Sequence, residues 1–147
     1  MVVRDLLRMK GSDVISVEPG TDLDAVVHLL MRHRIGGLPV VGADGTPLGF
    51  VAERDVVRAV DRNPEGIRHL AVDAVMQAPA PTCTGDDSLR RVMGRMTRER
   101  LRHLIVVDGG RIAGVISVGD LVKHRLEQLE TEAGVLRDYV AAQRAAR

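Results

Sequence analysis

The chain has 147 residues, of which 45% are apolar and 28% charged. That is enough to bury a core without disulfide staples, and too apolar for a disordered chain. Twenty-one basic and 20 acidic residues leave a net charge of +1, so no strong field favours nucleic acid or an acidic membrane. With one Phe, one Tyr and no Trp, the aromatic platforms of RNA-binding folds are nearly excluded.

The longest apolar runs, such as residues 104–107 (LIVV), fall far short of the ~20 residues a membrane span needs. The opening MVVRDLLRMK lacks the apolar h-region of a secretory signal. Cys83 is the single cysteine and has no internal partner, so a cytoplasmic location is expected. Lys10 and Lys123 are the only lysines against 19 arginines, a bias in keeping with a GC-rich bacterial genome.

In chain order, a short leader at residues 3–7 precedes a β-branched run at 14–17 (VISV). Thr21 is then a candidate N-cap, with Asp24 three residues on as in a capping box. Leu23, Val26, Val27 and Leu30 give the i, i+3, i+4, i+7 stripe of an amphipathic helix. Two β-branched strands follow, LPVV at 38–41 and GFVA at 49–52, joined by the turn residues GADGTP. A second helix starts after Val51, and Pro64 and Gly66 mark a linker.

The same order then recurs. A shift of 66 places residues 80–83 (APTC) over 14–17, and Leu89, Val92, Met93 and Met96 over the helical stripe, with Asp87 as the expected N-cap. LIVV at 104–107 falls over LPVV. After the loss of one residue, GVISVGD at 114–120 falls over GFVAERD at 49–55. A second leader lies at 71–75. Such a duplication over some forty residues is hard to obtain by chance, and each half alone is too small to bury much surface. Each repeat therefore reads as β-α-β-β-α. The expected fold is α/β, two such repeats packed with pseudo-twofold symmetry and separated by two equivalent clefts. The expected segments are 3–62, a linker at 63–70, 71–125, and a helical extension at 126–147.

The tail changes period. Val122, Leu126, Leu129, Ala133, Leu136 and Val140 are spaced 4, 3, 4, 3, 4, an a/d seam of nearly three heptads. It either lies on its own domain or pairs with the same helix of a second copy. Gly134 weakens it by ~1 kcal/mol relative to Ala.

Chemistry concentrates where a strand ends at Ser117. The hydroxyl and the first free N–H groups of the following helix suit an anion such as phosphate. Asp120, on the first turn, can accept hydrogen bonds from vicinal hydroxyls, as acidic residues do with ribose. Ser117 and Asp120 are equally a plain capping box. The first repeat carries Ala52 and Asp55 at these places.

The duplicated motifs resemble a tandem pair of CBS domains, a Bateman module of the stand-alone bacterial type, over roughly residues 3–125. The resemblance implies a non-catalytic regulatory module that binds an adenosine-containing ligand between the repeats: AMP, ADP, ATP, an NAD-type dinucleotide or S-adenosylmethionine. It requires no other cofactor. By the same resemblance Asp120 holds ribose, Ser117 contacts phosphate, Thr82 lies by the base, and Arg102 or His103 supplies positive charge. Ser16, which aligns with Thr82, and Arg54 and Asp55 are the candidates of the other cleft. Ala52 stands where the family has Ser or Thr, so the sites are expected to be unequal and the Ser117/Asp120 site the better one, with Arg54 replacing part of the lost contact by charge. Expected partners are the small molecule, a second copy of the chain, and an effector protein. Membrane and nucleic acid are not expected.

The rival to ligand binding is an oligomerisation module with vestigial clefts. No nucleophile or acid–base pair supports an enzyme. The five histidines, His28, His33, His69, His103 and His124, show no metal-ligand spacing. Cys83 reads as a small buried hydrophobe, and Met31, Met76, Met93 and Met96 as core. Arg90, Arg91, Arg95, Arg98, Arg100 and Arg102 read as a solvated helix face.

Overall fold

The computed structural model describes residues 1–146, so Arg147, the end of the expected extension, lies outside the described residues. In chain order the elements are α1 (Val3–Lys10), α2 (Leu23–His33), β1 (Gly37–Val41), β2 (Pro47–Ala52), α3 (Glu53–Arg62), β3 (Thr82–Thr84), α4 (Leu89–Glu99), β4 (His103–Asp108), β5 (Arg111–Ser117) and α5 (Val118–Ala145). Two 3₁₀ turns, Ile67–His69 and Val72–Ala74, fill the linker and the second leader. The expected duplication of α/β repeats is present.

The two hairpins match in detail. Leu38 pairs with Val51 in β1–β2, and Leu104 with Ile116 in β4–β5. Both ladders slip one residue at the same place, after Val40 and after Val106. The third strand differs. β3 runs parallel to β4, whereas the expected strand at 14–17 shrinks to a single bridge between Val17 and Val40. The cause is Pro39. Ile105 donates its N–H to the Pro81 carbonyl at 3.0 Å, and Pro39, at the matching position of β1, has no N–H to give.

Helix starts also correct the sequence expectation. The N-cap of α2 is Asp22, not Thr21, whose hydroxyl donates to the Glu18 carbonyl. The N-cap of α4 is Ser88, not Asp87. Ser88 Oγ accepts from Arg91 N, while the Asp87 carboxylate accepts from Thr84 N. The reason is the same in both repeats. Leu23 N–H is given to Leu70 O and Leu89 N–H to Met1 O, which holds the preceding residue extended and delays the helix by one position.

Those bonds reveal how the repeats interlock. Asp22 bridges Ala71 and Ser88 bridges Val2, so each leader is paired to the helix start of the other repeat. Val3, Leu6 and Leu7 of α1 pack with Cys83, Leu89, Val92, Met96, Leu104 and Ile116 of the second repeat. Val72 packs with Leu23, Val26, Leu38 and Val51 of the first. Two glycines admit the crossed leaders. A Cβ on Gly114 would stand 2.7 Å from Leu7 Cδ2, and one on Gly49 would collide with Met76 Sδ. These are the glycines that open both aligned motifs, so their role is close packing.

The stripe of α2 and α4 is narrower than expected. Leu23, Val26, Leu30, Leu89, Val92 and Met96 are buried, but Val27 and Met93, at matching positions, are exposed. Met31 is also exposed, so Met31 and Met93 are not core. Cys83 is buried, and burial pushes its thiol up to about 11, with the Asp87 carboxylate acting in the same direction. It is an inert packing thiol. α5 is one helix of 28 residues. Val122, Leu126, Leu129, Leu136 and Val140 are each 42–64% exposed, so the heptad seam does not lie on its own domain. No described helix is long and apolar enough to cross a membrane.

Candidate functional site

Two clefts open between the repeats, each with an aspartate on the first turn of a helix. In the first turn of α5 Ser117 N donates to Asp120 Oδ2 at 2.8 Å, and Asp120 N donates to Ser117 Oγ at 3.1 Å. At α3 Ala52 N donates to Asp55 Oδ2 at 2.8 Å, and the reciprocal bond is lost because Ala has no hydroxyl. Both carboxylates are thus held in place by a backbone N–H, and their positions repeat.

The Asp120 cleft has a volume of about 290 Å³. Its walls are Ser117, Asp120 and His103 from the second repeat and Val14, Ile15 and Arg34 from the first. Lys10 closes one side. Its ammonium donates to Asp120 Oδ2 and to the Val115 carbonyl, both at 2.7 Å. Burial, the largest influence, pushes the Asp120 carboxyl up, but hydrogen bonds from Lys10 and Ser117 together with the Lys10 charge hold it below its ordinary range.

The Asp55 cleft is larger, about 400 Å³. Asp55, Arg54 and Arg58 come from α3, Arg100 and Arg102 from the α4–β4 corner, and Met76 and Pro81 from the second leader and the segment after it. Asp55 faces no lysine here; its neighbour is Arg58 at 3.4 Å.

His103 belongs to both clefts. Its ring lies 5.0 Å from that of Phe50, tilted by 33°, where β2 and β4 of the two repeats meet. Burial pulls the imidazole below its ordinary value; the Asp120 and Glu53 carboxylates oppose this without reversing it. His103 is therefore neutral at pH 7 and offers hydrogen bonds and a ring face, not charge.

The structure regroups the expected residues. Ser117, Asp120 and His103 come together as expected. Thr82 does not join them: its neighbour Pro81 lines the Asp55 cleft, and the Thr82 carbonyl takes a hydrogen bond from Arg95 Nη1. Arg102 likewise lies in the Asp55 cleft, with Arg54 and Asp55. Ser16 is exposed and lines neither cleft, although Val14 and Ile15 beside it line the Asp120 cleft. The crossing of the leaders is the cause, since each brings the start of one repeat to the helix motif of the other. Sequence reasoning missed Lys10, Arg34, Arg58 and Phe50, and it assigned Arg100 to a solvated face. Arg34 and Arg100 carried a signal. They sit 66 residues apart, and both end a helix in the left-handed conformation, at φ 52° and 55°. No group of three or more potential metal ligands exists among the described residues.

A family model described as CBS domain matches the chain twice, over residues 3–62 and 72–127. The CBS-domain containing protein ATU1752 of Agrobacterium tumefaciens is 38% identical with a TM-score of 0.81, over 85% of this chain and 99% of that one. The inosine-5'-monophosphate dehydrogenase of Mycobacterium tuberculosis (strain H37Rv) is 34% identical over 122 residues, 82% of this chain. The chain spans only 22% of that relative, so the likeness concerns one part of a longer enzyme. The CBS domain pair of protein MJ0100, solved in complex with 5'-methylthioadenosine and S-adenosyl-L-methionine, shares the fold at 20% identity, with a TM-score of 0.78 over 87% of this chain and 98% of that one.

Proposed function

The chain belongs to the CBS domain family as a tandem pair, and we propose that it is a regulatory, non-catalytic module that binds an adenosine-containing ligand between its repeats. One observation carries the reading. Asp55 and Asp120 occupy the same turn of the two repeats, each anchored by a backbone N–H and each facing the start of the other repeat across a cleft. A fixed carboxylate of this kind accepts two hydrogen bonds from a ribose diol. The Ser117 hydroxyl can serve a polar tail, while Val118 N is already given to the Arg102 carbonyl and Asp120 N to Ser117 Oγ. The adenosine ligands in the MJ0100 pair, which has the same fold, support the ligand class.

A ligand wedged in a cleft touches both repeats and so biases how they sit together. The available energy is its differential affinity for the two arrangements, commonly ~1–3 kcal/mol. Output passes to an effector protein or to a second copy of the chain. The exposed a/d stripe of α5 suits a homodimer built on paired helices. The same stripe favours a second reading, in which assembly is the whole function and the clefts are vestigial.

Thermal melting against AMP, ADP, ATP, NAD and S-adenosylmethionine separates the two. A ligand specific for the folded state adds about 2.7 kcal/mol of apparent stability at a hundredfold excess over Kd. A shift with one adenosine ligand that weakens in Asp120→Ala or Asp55→Ala supports the sensor. A flat panel from a stable oligomer favours the assembly module.

A further inference from the structure

We infer that the two clefts are built for ligands of different charge: the Asp55 cleft for a nucleotide with a di- or triphosphate tail, the Asp120 cleft for a nucleoside whose tail carries no net negative charge. This rests on the adenosine-binding reading above and assigns the tail chemistry within it.

The first support is charge. Arg54, Arg58, Arg100 and Arg102 line the Asp55 cleft against Asp55 and Glu99. Lys10 and Arg34 line the Asp120 cleft against Asp13 and Asp120, so that cleft is balanced. Its lysine is also committed, since the ammonium already donates to Asp120 and to the Val115 carbonyl. The four arginines are freer. Arg58 makes one long contact, 3.4 Å to Asp55, and Arg54, Arg100 and Arg102 have no side-chain ion pair among the described residues. A polyphosphate needs several planar, always-charged donors converging from different directions. Here two come from α3 of one repeat and two from the α4–β4 corner of the other.

The second support is conformation. Arg100 ends α4 at φ 55°, a place where glycine or asparagine is usual and where a longer side chain strains the backbone. Glycine would relieve that strain, yet the chain places a guanidinium there, on the wall of the cleft. An unfavourable backbone that carries a cleft-lining charge is what a ligand contact explains and a solvated helix end does not. Arg34 shares it at φ 52° on the wall of the Asp120 cleft, so the difference between the clefts rests on the number of arginines and their freedom. The same argument weakens the expected ranking by hydroxyl alone. Ala52 removes one phosphate donor from the Asp55 cleft, and four guanidinium groups outweigh one hydroxyl.

The experiment is calorimetric titration of the full chain with ATP and with adenosine, without magnesium, at low and moderate salt. Wild type, Arg100→Gly, Arg54→Gln/Arg102→Gln and Asp120→Ala are compared. ATP should bind wild type at least tenfold more tightly than adenosine, with an advantage that shrinks as salt rises. Arg100→Gly should melt no lower than wild type yet lose about tenfold in ATP affinity with adenosine unchanged, and the double variant should lose more. Asp120→Ala should lower adenosine affinity about tenfold and cost ATP less than the double arginine variant does. If adenosine binds but ATP gains nothing, or if the ATP advantage survives both arginine variants, the charge assignment fails and the adenosine reading stands. If neither compound binds, both fail.

Discussion

Lys10 Nζ lies 2.7 Å from Asp120 Oδ2 and joins the end of α1 to the start of α5 across 110 residues of sequence. The pair is partly exposed, at 32% and 25% for the two side chains, so its contribution to stability is about 1 kcal/mol or less. Lys10→Met should lower stability by that amount in urea titration. It should also raise the Asp120 pKa towards the ordinary carboxylate value in a proton NMR titration. An unmoved Asp120 would mean that burial and the Ser117 hydrogen bonds set its charge without Lys10.

The two helix starts make a matched pair of cap tests. Ser117→Ala should cost about 1 kcal/mol by removing the acceptor for Asp120 N. Ala52→Ser should add a similar amount, because Asp55 already supplies the other half of the box. Thermal melts of both variants, read against wild type, check the two signs together.

Gly49→Ala and Gly114→Ala should both destabilise by about 1–3 kcal/mol through overpacking against the crossed leaders. Gly49→Ala should be the worse, because its Cβ would also stand 2.9 Å from the Gln77 carbonyl oxygen, whereas Leu7 can shift its methyl groups. Shortening Leu7 to Val in Gly114→Ala should recover part of the loss, and a double-mutant cycle measures it.

Acid should weaken the fold in two steps. His103 has a folded pKa below its ordinary value of 6.5. Its contribution is complete above that value and declines as pH falls towards the lower folded one. Asp120 has a folded pKa below 3.8, so its contribution is complete above 3.8 and is lost as pH falls through the lower folded value. His103→Gln should flatten the first step and Asp120→Asn the second in stability measured against pH. Asp120→Asn should also depress His103 further, since that carboxylate is one of the charges holding it up.

For α5 the expected outcome concerns assembly. Leu136→Glu with Val140→Glu alters two exposed positions and should leave the melting of a single chain unchanged. If the helices pair, the double variant should halve the mass measured by light scattering. An unchanged mass would remove α5 from the interface.

Much of this arrangement is written locally and so can be read from the chain. The duplication, the hairpins and the starts of α3 and α5 follow from alternation, turn residues and the Ser117–Asp120 spacing, each decided within a few residues. What escaped was long-range. Thr21 and Asp87 have good N-cap chemistry, but backbone bonds to Leu70 and Met1 pre-empt it. Residues 14–17 have the composition of a strand, but Pro39 in the neighbouring chain segment denies them a donor. The pairing of motif with leader was open, and with it the company kept by Thr82 and Arg102, because nothing near Asp120 or Asp55 states which repeat lies opposite.

The exchanged leaders have a consequence during synthesis. Val3, Leu6 and Leu7 leave the ribosome some eighty to a hundred and ten residues before their partners Cys83, Leu89, Leu104 and Ile116. At 5–20 residues per second that is a wait of roughly five to twenty seconds, with an apolar α1 face unpartnered. The first repeat likewise waits for Val72. The first repeat is therefore not a finished folding unit when its own last residue emerges, and the second closes only on a leader made long before it.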